Sequence, residues 1–236
     1  MRDGALDRAT VRALARRTAN PVRAGRGPAI KRHQHEIDVA CPADRFAAAL
    51  REVLIEPGAA FGLVRLRRAP DRVGRPFAAG ERFHGCFDLE RAAAAAGAPS
   101  WLRRALAAAA RRGLIAWLEQ RIASDHGEIT ELTEHQVAYR YLAGTPIAGE
   151  SRYTIRPLGR DACRVEQLFC WQERGPLAVA LLHGFGVRAH DQVVLAQMQA
   201  AAARCGAPLL RHTVRQIASH VEDQSFCARP GETNRR

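Results

Sequence analysis

Val137–Ile155 reads VAYRYLAGTPIAGESRYTI. Val137, Tyr139 and Tyr141 alternate with Ala138 and Arg140, and beyond the break Tyr153 and Ile155 alternate with Arg152 and Thr154. Period two marks a strand with one buried face, and GTPIA is a hairpin-length connection. The pattern continues on both sides, with SDHGEITEL before it and ACRVEQLFCWQE after it, the latter placing Val165, Gln167, Phe169 and Trp171 on one face. Together these segments predict a four-stranded antiparallel meander.

Upstream, HQHEIDVAC (33–41) alternates so that Ile37, Val39 and Cys41 share a face, which predicts a half-buried strand. PADRFAAALREVL follows as a helix, opened by Pro42 and carrying Phe46, Leu50, Val53 and Leu54 along one side. GAAFGLVRLRRA and GERFHGCFDLE read as two more strands. Residues 90–122 are helical by propensity and break at Gly97–Pro99. In the second of those helices Leu102, Leu106, Leu114, Trp117, Leu118 and Ile122 fall on one face. After the meander a long helix is expected from Pro176 to Gly206, kinked near Gly184 and Gly186, and then a short helix and a disordered tail over 207–236. At the other end, residues 1–32 are expected to be a flexible basic segment.

The formal charge of +12 is concentrated. Residues 1–33 hold nine basic and two acidic side chains, and residues 90–122 hold six and two. Only Lys31 among the 36 basic residues is a lysine, the bias of an arginine- and alanine-rich coding composition. Nucleic acid is therefore not the expected partner, although binding of an anionic surface or of nucleic acid through the basic leader stays open as a third reading. The six cysteines have no zinc-ligand spacing, several lie in apolar strand-like runs, and no secretory h-region precedes the domain. A bacterial cytoplasmic protein is expected.

The strand–proline–helix run HEIDVACPADRFAAAL, and VAYRYLAGTPIAGESRYTIRPLGRDACRVEQLFCWQ leading into a last helix, resemble the START-like (SRPBCC) superfamily, whose fold is the helix-grip of the birch-pollen allergen and polyketide cyclase/dehydrase-like proteins. The resemblance covers roughly residues 33–204 and implies a START-like ligand-binding domain over 33–206, with 90–122 as a helical insertion. It implies an α+β fold: a curved antiparallel sheet of about seven strands around a long C-terminal helix. It also implies a cavity for a hydrophobic small molecule, such as a lipid, polyketide or isoprenoid-like compound.

The expected ligand-binding residues are Phe83, Phe87, Val137, Tyr139, Tyr141, Tyr153, Ile155, Gln167, Phe169, Trp171 and Phe185. Tyrosines facing a cavity supply apolar area with one hydroxyl each, which suits a flat, mostly apolar ligand; rings that simply fill a core are the competing reading. For a cyclase/dehydratase-type enzyme the acid–base candidates are His84, Tyr153 and Glu150. No HExxH, GxSxG, phosphate-loop or dinucleotide motif appears. His183 and His190 stand two helical turns apart, too far to share an ion, so no metal site and no cofactor is expected. The segment 99–122, with Trp101, Trp117 and its arginines, suits peripheral contact with an anionic membrane or a lid packed on the domain. The oligomeric state is not legible.

Overall fold

The computed structural model describes residues 30–55, 63–122, 124–142, 147–173 and 186–219. Strand β1 (Ile30–Val39) leads into helix α1 (Ala43–Ile55). Strands β2 (Val64–Arg68) and β3 (Arg82–Phe87) follow. Three helices come next: α2 (Leu89–Ala95), α3 (Ser100–Arg111) and α4 (Ile115–Ile122). The meander is β4 (Ser124–Leu132), β5 (Gln136–Tyr141), β6 (Ile147–Pro157) and β7 (Cys163–Glu173). Helix α5 (Val187–Arg204) and strand β8 (Leu209–Ser219) complete the order.

All eight strands join one antiparallel sheet in the order β2-β3-β4-β5-β6-β7-β1-β8. Laid flat, the six spacings from β2 to β1 would measure about 29 Å. A helix with its side chains is only about 10 Å across. Yet Val64 and Leu66 of β2 share a cavity with α5, and His33 of β1 bonds to α5 from the other side. The sheet therefore curls around α5, in the helix-grip arrangement. Register shifts in β4 between Ile129 and Glu131, and in β1 at Asp38/Val39, supply local bends.

The main core lies between α1, α5 and the sheet, where Phe46, Leu50 and Val53 cluster with Ile37, Val39, Ile155, Val165 and Met198. A second cluster holds the insertion. Leu89, Ala92, Ala93, Ala96 and Leu106 pack with Ala189 of α5, the small alanines letting the helices approach closely. β3 and β4 are hydrogen-bonded neighbours, so the three helices are an excursion between adjacent strands. Glu119 of α4 secures it: this buried carboxylate accepts from the Leu89 backbone N–H at 3.2 Å and pairs with Arg65 of β2.

Two expectations change. The second insertion helix is two helices, because Gly113 adopts φ +69° and ends α3 with bonds from Gly113 N–H to the Ala110 carbonyl and from Leu114 N–H to the Ala109 carbonyl. The stretch after Gly206, expected as a short helix, is strand β8 as far as Ser219. It pairs with β1 from Leu209 to Ser219, satisfying an edge that would otherwise stand open, and its β-branched Thr213 and Val214 favour that state. Finally, the described part of the closing helix begins at Val187. The expected start at Pro176, the kink at Gly184 and residue Phe185 lie outside the described residues, as do the basic leader up to residue 29 and the tail after 219.

Candidate ligand cavity and buried histidine cluster

A cavity of about 120 Å³ lies between the sheet and α5. Val53 and Leu54 of α1, Val64 and Leu66 of β2, and Phe83, Gly85 and Phe87 of β3 form one side. Ile129, Val137, Tyr139, Tyr141 and Tyr153 continue the wall through β4, β5 and β6, and α5 closes it with His190, Val193, Val194 and Gln197. Phe77, between β2 and β3, completes the lining. A neighbouring cleft of about 310 Å³ shares Leu54, Phe77 and Val137 with it.

Alternation along the strands places these groups. Phe83 and Gly85 point in because His84 points out. The Phe83 ring rests over Gly127 of β4, where an added Cβ would meet its Cζ at 2.3 Å, so glycine there makes room for the ring. A chain of ring contacts crosses the concave face. Phe77 meets Phe83 at 5.9 Å, Phe83 meets Tyr139 at 5.4 Å, and Tyr139 meets Tyr141 at 5.8 Å. Tyr141 then meets Phe169 at 5.8 Å, and Phe169 stacks on both Trp171 and His190 at 4.7 Å. Polar atoms are few. Tyr153 Oη donates to Gln197 Oε1 at 2.8 Å, and burial, with the neighbouring Tyr139, pushes its phenol well above the ordinary value. It is a neutral donor at any working pH.

Of the residues expected to bind ligand, Phe83, Phe87, Val137, Tyr139, Tyr141 and Tyr153 line this cavity, while Ile155, Gln167, Phe169 and Trp171 do not. Ile155 belongs to the main core, and Gln167 is wholly buried with its Nε2 donating to Ser151 Oγ at 2.9 Å. Phe169 and Trp171 pack with Ile147 beside His190. The three acid–base candidates are not brought together. His84 lies on the convex face, stacked on His126 at 4.6 Å and 2.8 Å from Ser124 Oγ, and burial, His126 and Arg67 lower its pKa. Glu150 is also on that face, accepting from Arg152 at 3.0 Å. Only Tyr153 reaches the cavity.

At the β1 end the structure assembles a group that the sequence reading passed over. His33 and His35 are buried, at 3% and 0% exposure, and face the first turn of α5. His33 Nε2 donates to Asp191 Oδ1 at 2.5 Å, and His35 Nε2 lies 3.2 Å from the same oxygen. His35 Nδ1 is 3.0 Å from Nε2 of His212 on β8. His190, beside Asp191, lies with its ring centroid 5.9 Å from that of His33 and 5.8 Å from that of His35. Burial, aided by His35 and His33 and opposed by Asp191, lowers His190 to about 3, so it is a neutral imidazole. Asp191 moves the other way: burial raises its pKa, but the hydrogen bonds from His33 and His35 outweigh that and hold it well below the usual carboxylate range.

The signal for this group was present. The alternation that pairs Ile37 with Val39 also carries His35 and His33 onto the same face. Helical spacing relates His190 only to His183 on its own helix, and a helix over the segment after Gly206 would carry His212 away from β1. Recognition required the strand pairing of β8 and the docking of α5 on β1.

No family model and no curated protein matches the sequence. Among solved structures, the chain is similar to the Zhui aromatase/cyclase from Streptomyces sp. R1128, at 16% identity and TM-score 0.46, covering 74% of this chain and 95% of that one. It is also similar to a truncated norcoclaurine synthase from Thalictrum flavum, at 14% identity and TM-score 0.45, covering 75% and 95%. A conserved protein from Geobacillus kaustophilus is similar at 8% identity and TM-score 0.46, covering 78% and 99%.

Proposed function

We propose that this protein binds a compact hydrophobic small molecule between the curled sheet and α5. The observation that carries the reading is the cavity itself, with apolar walls from two helices and five strands around a few polar atoms of tyrosine, Gln197 and His190. Binding sites for small molecules have that composition. A dry cavity of about 150 Å³ holds a benzene-sized guest, so about 120 Å³ suits one ring or a short branched chain of a larger lipid, polyketide or isoprenoid-like compound. The shared walls Leu54 and Phe77 make the adjoining cleft the natural entry. The exposed Trp101 and Trp117 on α3 and α4, flanked by exposed arginines, would hold that loading step at an anionic membrane surface. The five described cysteines are buried free thiols, which fits a reducing compartment such as the cytoplasm.

Native mass spectrometry of the protein purified from its own host, followed by organic extraction, tests this. A stoichiometric apolar guest supports the reading, and protein that stays empty against a panel of mono- and bicyclic aromatics overturns it. A cyclase/dehydratase-type activity is the second reading, favoured by one observation: His190 presents a neutral imidazole in the same cavity wall that carries the Tyr153–Gln197 pair. His84 and Glu150, on the convex face, take no part in it. Turnover of an enclosed polyketide-like substrate that is lost in His190→Ala, with binding retained, would favour this reading over simple carriage.

A further inference from the structure

We propose that His33, His35, His190 and Asp191 form a site for one divalent first-row transition-metal ion, of the zinc or iron(II) kind, in the wall between β1 and α5. Each of the four offers one ligand atom, and those atoms all lie within 4.8 Å of one another. Around a tetrahedral zinc, ligand atoms about 2.0–2.1 Å from the metal stand about 3.3 Å apart. Small rotations of the side chains close that difference. The donor set of imidazoles and one carboxylate is the borderline kind these ions select, whereas calcium and magnesium prefer all-oxygen sets.

Three features point to a cation and not to a self-contained hydrogen-bond network. A single proton satisfies His33 and Asp191, yet it leaves His33 Nδ1 and His190 Nδ1 buried with no hydrogen-bond partner. Buried polar atoms are rarely left so. The second feature is the orientation of His35. His35 Nδ1 is 3.0 Å from His212 Nε2 and its Nε2 is 3.2 Å from the Asp191 carboxylate oxygen, so in the tautomer that donates from Nδ1 to His212 the Nε2 lone pair is directed at that oxygen. In that tautomer two acceptors face each other, and a cation between them makes both contacts favourable; in the other, His35 donates to Asp191 and the ion takes the place of that proton. His212 then acts as the outer partner that fixes a ligating histidine's tautomer and ring. Third, the groups arrive from β1 and the first turn of α5, more than 150 residues apart in sequence, so convergence is a product of the fold and not of local composition. His190 also lines the cavity, which puts the ion in the cavity wall. The inference does not depend on what the cavity holds.

The test uses untagged full-length protein, stripped with a chelator and titrated with cobalt(II) or zinc(II) alone. Expected are one equivalent bound, visible cobalt bands without the intense near-ultraviolet absorption of thiolate ligation, and a rise in Tm with zinc. His190→Ala and Asp191→Ala should each weaken binding by roughly a hundredfold or more. His135→Ala, which removes the exposed Asp44–Glu134–His135 group, should leave it unchanged. If the alanine variants fail to fold, X-ray absorption of the zinc-loaded wild type decides by counting imidazoles. Absence of stoichiometric binding, sulfur in the coordination shell, an unmoved Tm, or loss of binding in His135→Ala overturns the proposal.

Discussion

Asp38 shows how one side chain can hold three strands in register. Arg164 of β7 grips its carboxylate with Nε at 2.7 Å and Nη2 at 3.0 Å, and Arg211 stands beside it on β8. The Arg164 hydrogen bond, against some cost of burial, lowers the Asp38 pKa, and the fields of Arg164 and Arg211 add to this. A carboxylate depressed on folding contributes stability above its unfolded pKa of 3.8 and loses it as pH falls through the lower folded value. Asp38→Asn should therefore cost about 1 kcal/mol near neutrality and flatten the acid limb of the stability profile below pH about 4. Urea unfolding at stepped pH measures both. Tyr153→Phe removes a different kind of bond, since Gln197 Oε1 would lose its 2.8 Å donor inside the fold. We expect a loss of roughly 1–2 kcal/mol, read by the same unfolding experiment at pH 7.

At the scale of elements, strand content was the most legible part of the sequence, because alternation in Tyr139–Tyr141 and Val165–Trp171 reports a buried face directly. What the pattern could not report was pairing across long separations. The run Leu209–Ser219 has both apolar and basic residues at mixed spacing, and only the open edge of β1 decides that it is a strand. The histidine cluster was hidden for the same reason, since β1, α5 and β8 must be placed before its members become neighbours. The cavity lining was legible where it depended on alternation alone, as at Phe83, Tyr139 and Tyr153, and illegible at α5, whose inward face includes His190 and Gln197. The insertion allows two tests of its own. Glu119→Ala leaves the Leu89 N–H and Arg65 without this carboxylate and should destabilise by roughly 1–3 kcal/mol, with helices α2 to α4 gaining hydrogen exchange before the sheet does. Trp101 and Trp117 are 45% and 57% exposed. Replacing both by alanine should reduce co-sedimentation with phosphatidylglycerol vesicles at low salt severalfold, leaving Tm nearly unchanged; equal sedimentation of variant and wild type would remove the membrane from the loading step.

For the molecule as a whole, the question is whether the space under the curled sheet is a packing defect or a retained site. The two possibilities differ in how stability and binding respond to the same change. Val193 projects from α5 into the cavity, with 8% exposure, opposite the aromatic wall. Val193→Phe places extra carbon atoms in a space of about 120 Å³. Removing cavity volume returns on the order of 24 cal/mol per Å³ when the added group fits. A ring that occupies half of the space would stabilise by roughly 1 kcal/mol. If the space is a site, that gain is accompanied by loss of the apolar guest, the trade between stability and function expected where a cavity is kept open for use. The measurement pairs urea unfolding with titration by a single-ring aromatic such as phenol. Higher stability with binding weakened tenfold or more supports a site beneath the sheet. Higher stability with binding unchanged would place the guest elsewhere, and the Leu54–Phe77–Val137 cleft would then be the next surface to block.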